Sequence, residues 1–447
     1  MGVKGEPPLR VPSRALASAI SQRKDSVHML NKQIPRIGTV LLAAVAVALL
    51  VLAPGAPAAH RAGAATTIRI WTDQDRKAAV DRVTSAWGNS KGVEIEVVVK
   101  PFGNIQSDLT TVQAGQAPDV IVAAHDWTGA LAANGLVVPI VPKKAVLKLV
   151  PKYARDAFSY GTGVARLYGM PTTLENVGLF VNTALVKVPK TWAQLEKSAL
   201  AFKRKSADNL AIAVQQGTGG DAYHMYPFFS GLCGYVFGKT KGGSLNPSNI
   251  GLSNKAFLKN APLIDKWNRE GLITSKVDSS TAQNAFLKGQ AAFWVTGPWN
   301  IDTVRKAGVK FQIIQIPKIK CRAVPFLGVN GFMVTKFAAT HGVESAAKDL
   351  VANYMAGANA QQDLASANSR YPANLTAGKR ITDTGLRQIG RASAGGVPMP
   401  NIPQMGSVWG ELGGAWVKAT KGAGATPARS AFATAAANIR AKIASGG

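Results

Sequence analysis

The apolar run Ala117-Pro118-Asp119-Val120-Ile121-Val122-Ala123-Ala124 ends in His125-Asp126-Trp127, a carboxylate beside an indole ring. If the run is a buried parallel strand, Asp126 and Trp127 stand beyond its carboxyl end, where open α/β sheets bind their ligands. A carboxylate accepts hydrogen bonds from vicinal hydroxyls, and an aromatic face covers the apolar C–H side of a pyranose. The pair points to a neutral sugar. Taken alone, Asp126 also suits the N-cap of a helix over 128–134, and His125 reads as a buried, hydrogen-bonded residue rather than a base. Nothing in the chain spells a nucleophile elbow, a Walker loop, a dinucleotide fingerprint or a metal-ligand cluster. The five histidines stand isolated at 28, 60, 125, 224 and 341. No catalytic residue, metal or cofactor is expected.

The elements that must position such residues follow from periodicity. Thr67-Ile68-Arg69-Ile70-Trp71 alternates as a strand, Arg76 to Trp87 has helical spacing, and Val93 to Val99 alternates again. This βαβ opening, continued by the strand before Asp126, predicts a parallel doubly wound sheet. Pro171 to Asn182 reads as an extended crossing that continues as a strand. Pro189 to Arg204 reads as a helix capped near Thr191. Phe326 to Val334 reads as a return strand, helices start at Val343 and Ala360, and Arg429 to Ile443 is a surface helix. Gly328 and Gly331 in the return strand fit either a hinge or close packing. With 447 residues, two α/β domains are the natural expectation.

Several segments also carry a family likeness: Ala117 to Ile140, Lys190-Thr191-Trp192, Ala285-Phe286 with Lys288-Gly289, and Gly297-Pro298-Trp299. The strongest is Met399-Pro400-Asn401-Ile402-Pro403-Gln404-Met405, followed by Trp409. In these, and over roughly residues 66–447, the chain resembles the maltose/maltodextrin-binding proteins of ABC sugar importers. The resemblance implies the two-lobed α/β fold of periplasmic binding proteins, each lobe a mixed or parallel sheet flanked by helices, with a ligand cleft between them. The first lobe would comprise 66–173 and 333–378, the second 178–327 and 383–447, with hinges near 173–178, 327–332 and 378–383. It also implies a protein outside the cytoplasm that captures a neutral oligosaccharide by lobe closure and delivers it to the membrane subunits of a permease.

Site residues follow from the same resemblance. Asp75 and Arg76 match an acidic–basic pair that contacts sugar hydroxyls, Asp126 a second carboxylate, and Glu175 a glutamate of the hinge region. Asp221 and Tyr223 fall where the family has a glutamate and a stacking tyrosine. Trp299 and Trp409 match two aromatic plates, with Met399 an apolar contact beside them. The sequence departs from the pattern at Ala123, where the family has a tryptophan, at Trp127 in place of an arginine, and at Ser279 in place of a tyrosine. Gln106 is the nearest polar residue to an expected glutamate. Trp127 would restore the aromatic face lost at 123. Two other readings compete: a hydrolase using Glu175 and Asp126 as its carboxylate pair, and a binding protein for trehalose or a glycerophosphodiester. Anion sites need converging cations or free helix N-termini, and the matched positions are mostly acidic and aromatic, which favours a neutral glycan.

Residues 1–64 read as a leader. Its charge-free run at 37–53 follows Lys32 and Arg36 and precedes small residues at 56–58 and 62–64, as in a cleaved export signal, with a retained anchor as the alternative. Met29 would make a start codon giving a leader of ordinary length. The two cysteines, Cys233 and Cys321, lie far from the leader, so no lipoprotein cysteine is expected; export permits them to pair, and spacing alone does not say whether they do. The net charge is +28, of which the leader holds six, leaving +22 on the remainder. The cations are scattered without an aromatic-interleaved patch, which excludes a nucleic-acid partner and suggests an anionic membrane or cell-wall surface.

Overall fold

The computed structural model describes residues 66–161, 164–367 and 369–446; the leader, its apolar run and both candidate start methionines lie outside them. The chain opens with β1 (Thr67–Thr72), β2 (Glu94–Val99) and β3 (Val120–Ala124), followed by the small hairpin β4 (Ser159–Tyr160) and β5 (Arg166–Leu167). A crossing pair, β6 (Gly169–Glu175) and β7 (Gly178–Asn182), leads to β8 (Ala213–Val214), the hairpin β9 (Phe237–Lys239) and β10 (Leu245–Ile250), β11 (Phe293–Thr296) and β12 (Phe311–Ile314). The chain then returns through β13 (Phe326–Val334), β14 (Tyr371–Pro372) and β15 (Val397–Pro398).

Two sheets result. The first has the order β14-β6-β13-β3-β1-β2, with β15 on β13; the second has the order β12-β7-β11-β8. As periodicity predicts, β1, β2 and β3 are parallel. The sheet is not parallel throughout, because β13 lies antiparallel between β3 and β6. That strand comes back from the second sheet and must enter the first in reverse. In the second sheet β7 is likewise antiparallel to β11 and β12, while β8 joins β11 in parallel. The molecule is a two-lobed, mixed α/β fold.

Each sheet has its own core. Ile68, Ile70, Val120 and Val122 pack with Val80, Val83 and Trp87 of the helix Gln74–Lys91. In the second sheet the alternation of side chains divides two cores: Leu179, Val181, Phe293 and Val295 face one, Phe180 and Trp294 the other. The helix Trp192–Lys203 is capped as the sequence predicts, with Thr191 Oγ1 accepting from Gln194 N at 3.2 Å. Gly328 and Gly331 serve close packing. A methyl group on Gly331 would stand 2.2 Å from Met170 O, and one on Gly328 would stand 2.9 Å from Glu175 Cγ. Cys233 and Cys321 form a disulfide that ties the end of the helix Ala222–Gly231 to the loop before β13.

Candidate ligand cleft

The strand-end residue at the start of the first lobe is Asp73. It caps the helix Gln74–Lys91, accepting from Arg76 N at 3.2 Å, and its second oxygen pairs with Arg76 Nη1. Arg76 is buried over the Phe102 ring at 4.5 Å and reaches Glu175 Oε2 at 3.7 Å. Glu175, at the end of β6, also accepts from Arg370 Nε at 2.8 Å. Arg370 precedes the two-residue strand β14, so three segments far apart in sequence meet at one carboxylate. Burial pushes the Glu175 carboxyl up, but the guanidiniums of Arg370 and Arg76 outweigh it and hold it below its ordinary value. Two acids and two arginines balance one another, as buried charges must.

Asp126 sits in a single turn, His125–Trp127, directly after β3, and the next helix, Thr128–Ala133, is not capped by it. Its Oδ2 instead accepts from Trp409 Nε1 at 3.1 Å, and Trp409 lies on the helix Gly406–Thr420, which packs in the core of the second sheet. Burial lifts the Asp126 carboxyl to about 7, with the indole N–H pulling the other way. His125 lies fully buried alongside. Its Nε2 meets Met399 O at 3.0 Å and its Nδ1 accepts from Val329 N at 3.1 Å, a pattern that assigns the neutral tautomer protonated at Nε2. Burial pushes it down to about 4. Met399 thus meets the first lobe through its backbone, and Asn401 Nδ2 donates to Ala157 O and Ser159 O, both at 3.0 Å. The Met399–Met405 segment is seated on the first lobe, where a methyl on Gly129 would stand 2.4 Å from Asn401 O.

Aromatic rings line the second side. The Tyr223 ring is 6.4 Å from Trp299 and 6.3 Å from Phe326, and Phe326 meets Trp409 edge-on at 5.6 Å. The Arg370 guanidinium lies 5.9 Å from the centre of Trp299. The Tyr223 hydroxyl is buried with no hydrogen-bond partner in the protein, and a methyl on Gly328 would stand 3.3 Å from it. Burial, with Glu175 and Asp221 nearby, raises the Tyr223 hydroxyl well above its ordinary value and keeps it a donor. Asp221 caps the helix Ala222–Gly231 through His224 N at 2.9 Å, accepts from Gln215 Nε2 at 2.7 Å and meets His224 Nδ1 at 2.9 Å. Although burial raises it, these partners hold it at about 2.

The structure therefore gathers Arg76, Asp126, Glu175, Tyr223, Trp299, Met399 and Trp409 around one junction. Three expected residues make none of these contacts. Asp75 is exposed on the first helical turn, beside Arg76, and the helix is capped by buried Asp73 instead. Trp127 turns into the first-lobe core, 8% exposed, with its ring 4.9 Å from Phe102. It packs against Phe102, the ring that Arg76 covers. Asp221 is engaged by its own helix and by Gln215. Sequence reading missed Asp73, Phe102, Phe326 and Arg370. Capping preference was the available signal for Asp73, since an aspartate before Gln-Asp-Arg at a strand end is a natural N-cap; nothing local marks Arg370.

The profile of a family described as bacterial extracellular solute-binding protein matches residues 78–384. The galactooligosaccharide-binding protein of Bacillus subtilis (strain 168) is 28% identical over 388 residues, covering 83% of this chain and 88% of its own. The maltodextrin-binding protein of the same organism is 28% identical over 362 residues, covering 76% and 82% respectively. The solved structure of the Thermus thermophilus maltotriose binding protein bound with maltotriose is similar with a TM-score of 0.73 at 28% identity, covering 84% of this chain and all of that one.

Proposed function

Because the chain belongs to the family of bacterial extracellular solute-binding proteins, we propose that it captures a neutral oligosaccharide of the maltodextrin type between its lobes and delivers it intact to the membrane subunits of an ABC importer. The observation that carries this reading is the Tyr223 hydroxyl, buried without a protein partner beside Glu175 and the Trp299 plate. A buried donor left unpaired is costly, and a sugar hydroxyl would satisfy it while the rings cover the sugar faces. Trp299, Trp409 and Tyr223 serve as plates, Asp126, Arg76 and Glu175 meet hydroxyls, and Met399 closes the apolar side. Entry requires the lobes to part, since Trp409 and Asp126 bond directly across the junction. Sugar contacts made to both lobes then favour the closed arrangement differentially, about crossings near 173–178, 327–332 and 378–383.

The charge arrangement supports binding without cleavage. Asp126, raised to about 7, keeps its proton only part of the time near neutrality, and Glu175 is held by two arginines and is a poor nucleophile. A thermal-shift panel of maltose, maltotriose, longer maltodextrins, trehalose and galacto-oligosaccharides tests the ligand class, because a ligand of the native state raises its melting point. Maltodextrins should give the largest rise and be recovered uncut by chromatography. A larger rise with another sugar class, or release of shorter products, would refute the proposal.

A further inference from the structure

One face of the first lobe takes no part in the cleft. Between Trp127 and Leu174 the chain carries six lysines and arginines and a single carboxylate, Asp156, which Lys152 holds at 2.6 Å. Lys143, Lys144 and Lys148 are exposed on and around the short helix Lys144–Leu147, and Arg166 is exposed on β5. Two backbone bonds draw neighbouring segments onto this face. Leu375 N donates to Leu149 O and Ile140 N donates to Leu167 O, both at 2.8 Å. The first brings in the helix Leu375–Lys379, which ends in exposed Lys379 and Arg380 with no acid between Tyr371 and Thr382.

The same face carries most of the exposed large apolar side chains among the described residues. Of seven among the described residues, four are here: Val141 at 90% exposed, Val164 at 91%, Leu375 at 50% and Tyr153 at 48%. Cations alone suit any polyanion. Cations interleaved with exposed apolar side chains suit a surface that is anionic outside and apolar just beneath. We infer that the face formed by Lys143–Tyr153, β5 and the helix Leu375–Lys379 docks on an anionic phospholipid bilayer. The lysines meet the headgroup phosphates, and Val141, Tyr153 and Leu375 enter the interface. None of the ligand-cleft residues belongs to this face, so docking does not depend on the sugar reading.

The test is cosedimentation of the exported protein, as the cell processes it, with phosphatidylcholine vesicles prepared with and without phosphatidylglycerol. The ratio between the two removes any contribution from apolar insertion alone. The wild type should prefer the anionic vesicles and lose that preference as salt rises. Reversing three exposed charges in K143E/K144E/K148E should cut the preference by at least about tenfold, and Y153S/L375S should cut binding several-fold, with melting temperature and circular dichroism unchanged in both. Equal partition of wild type onto both vesicles, or a charge-reversed variant that partitions like wild type, would overturn the inference. Retention on a soluble poly(glycerol phosphate) polymer with none on vesicles would also overturn it, assigning the face to a polymer instead.

Discussion

Trp409 Nε1 donates to Asp126 Oδ2 at 3.1 Å, so an indole rooted in the core of the second sheet caps the carboxylate at the end of β3 in the first. One residue away, His125 fastens Met399 O and Val329 N. The junction between the lobes is thus held by two adjacent titratable groups that burial shifts in opposite senses.

These opposite shifts predict compensating pH effects. Asp126 titrates at about 7 in the fold against 3.8 ordinarily, so its contribution to stability is present at low pH and is lost as pH rises from about 4 to about 7. His125 titrates at about 4 against 6.5, so its contribution is present at neutral pH and is lost as pH falls from about 6.5 to about 4. Each slope approaches about 1.4 kcal/mol per pH unit, and over pH 4–6.5 they oppose. Urea titrations should find Asp126→Asn gaining stability with rising pH across that window and His125→Gln losing it, with wild type flatter than either. Parallel profiles for all three would contradict the assignment.

Arg370 is expected to be a stability residue as well as part of the site. Arg370→Met leaves Glu175 buried with Arg76 3.7 Å away as its nearest cation. Removing one member of a buried ion pair costs about 3–5 kcal/mol. The double variant Glu175→Gln/Arg370→Met should recover much of that loss, because no lone charge remains. Denaturant midpoints of the two variants decide the matter, and a double variant no better than the single would show the charges are not coupled.

Tyr223→Phe should separate stability from binding. It deletes a buried hydroxyl that has no protein partner, so the sugar-free protein should melt no lower than wild type and up to about 1–3 kcal/mol more stable. Affinity for the sugar should fall about three- to tenfold, the worth of one hydrogen bond. A drop in the melting point of the sugar-free protein would mean that the hydroxyl serves the fold.

The disulfide closes a span of 88 residues. Chain entropy assigns such a loop about 4–5 kcal/mol, and measured values usually run about 2–4. Reduction should lower the urea midpoint accordingly without abolishing folding, because Ser230 Oγ still bonds Val324 O at 2.7 Å and ties the same loop to the same helix. No midpoint shift on reduction would mean that the bond contributes nothing to the native state.

Local pattern made some of this legible and left other parts out of reach. Alternation and helical spacing foretold the parallel β1–β2–β3 opening, the Thr191 cap and the closing helix, since each is decided within a dozen residues. The strand-end position of Asp126 was readable for the same reason. Asp73 caps the helix and Asp75 stays exposed in its first turn, a difference of two residues that capping preference, rather than family likeness, marks. Trp127 adjoins Asp126, but a tight turn sends neighbouring side chains to different sides, and the indole joined the core. Arg370 and the disulfide depend on how distant segments are brought back by β13 and β14, and antiparallel return strands carry no sign of their partner in their own sequence.

The most direct test is a calorimetric titration of maltotriose into wild type and Trp299→Ala. Sugar held in the cleft requires one sugar per wild-type chain and an affinity at least about fivefold weaker in the variant, given about 1–3 kcal/mol for a buried aromatic plate. Equal affinities in the two proteins would contradict it.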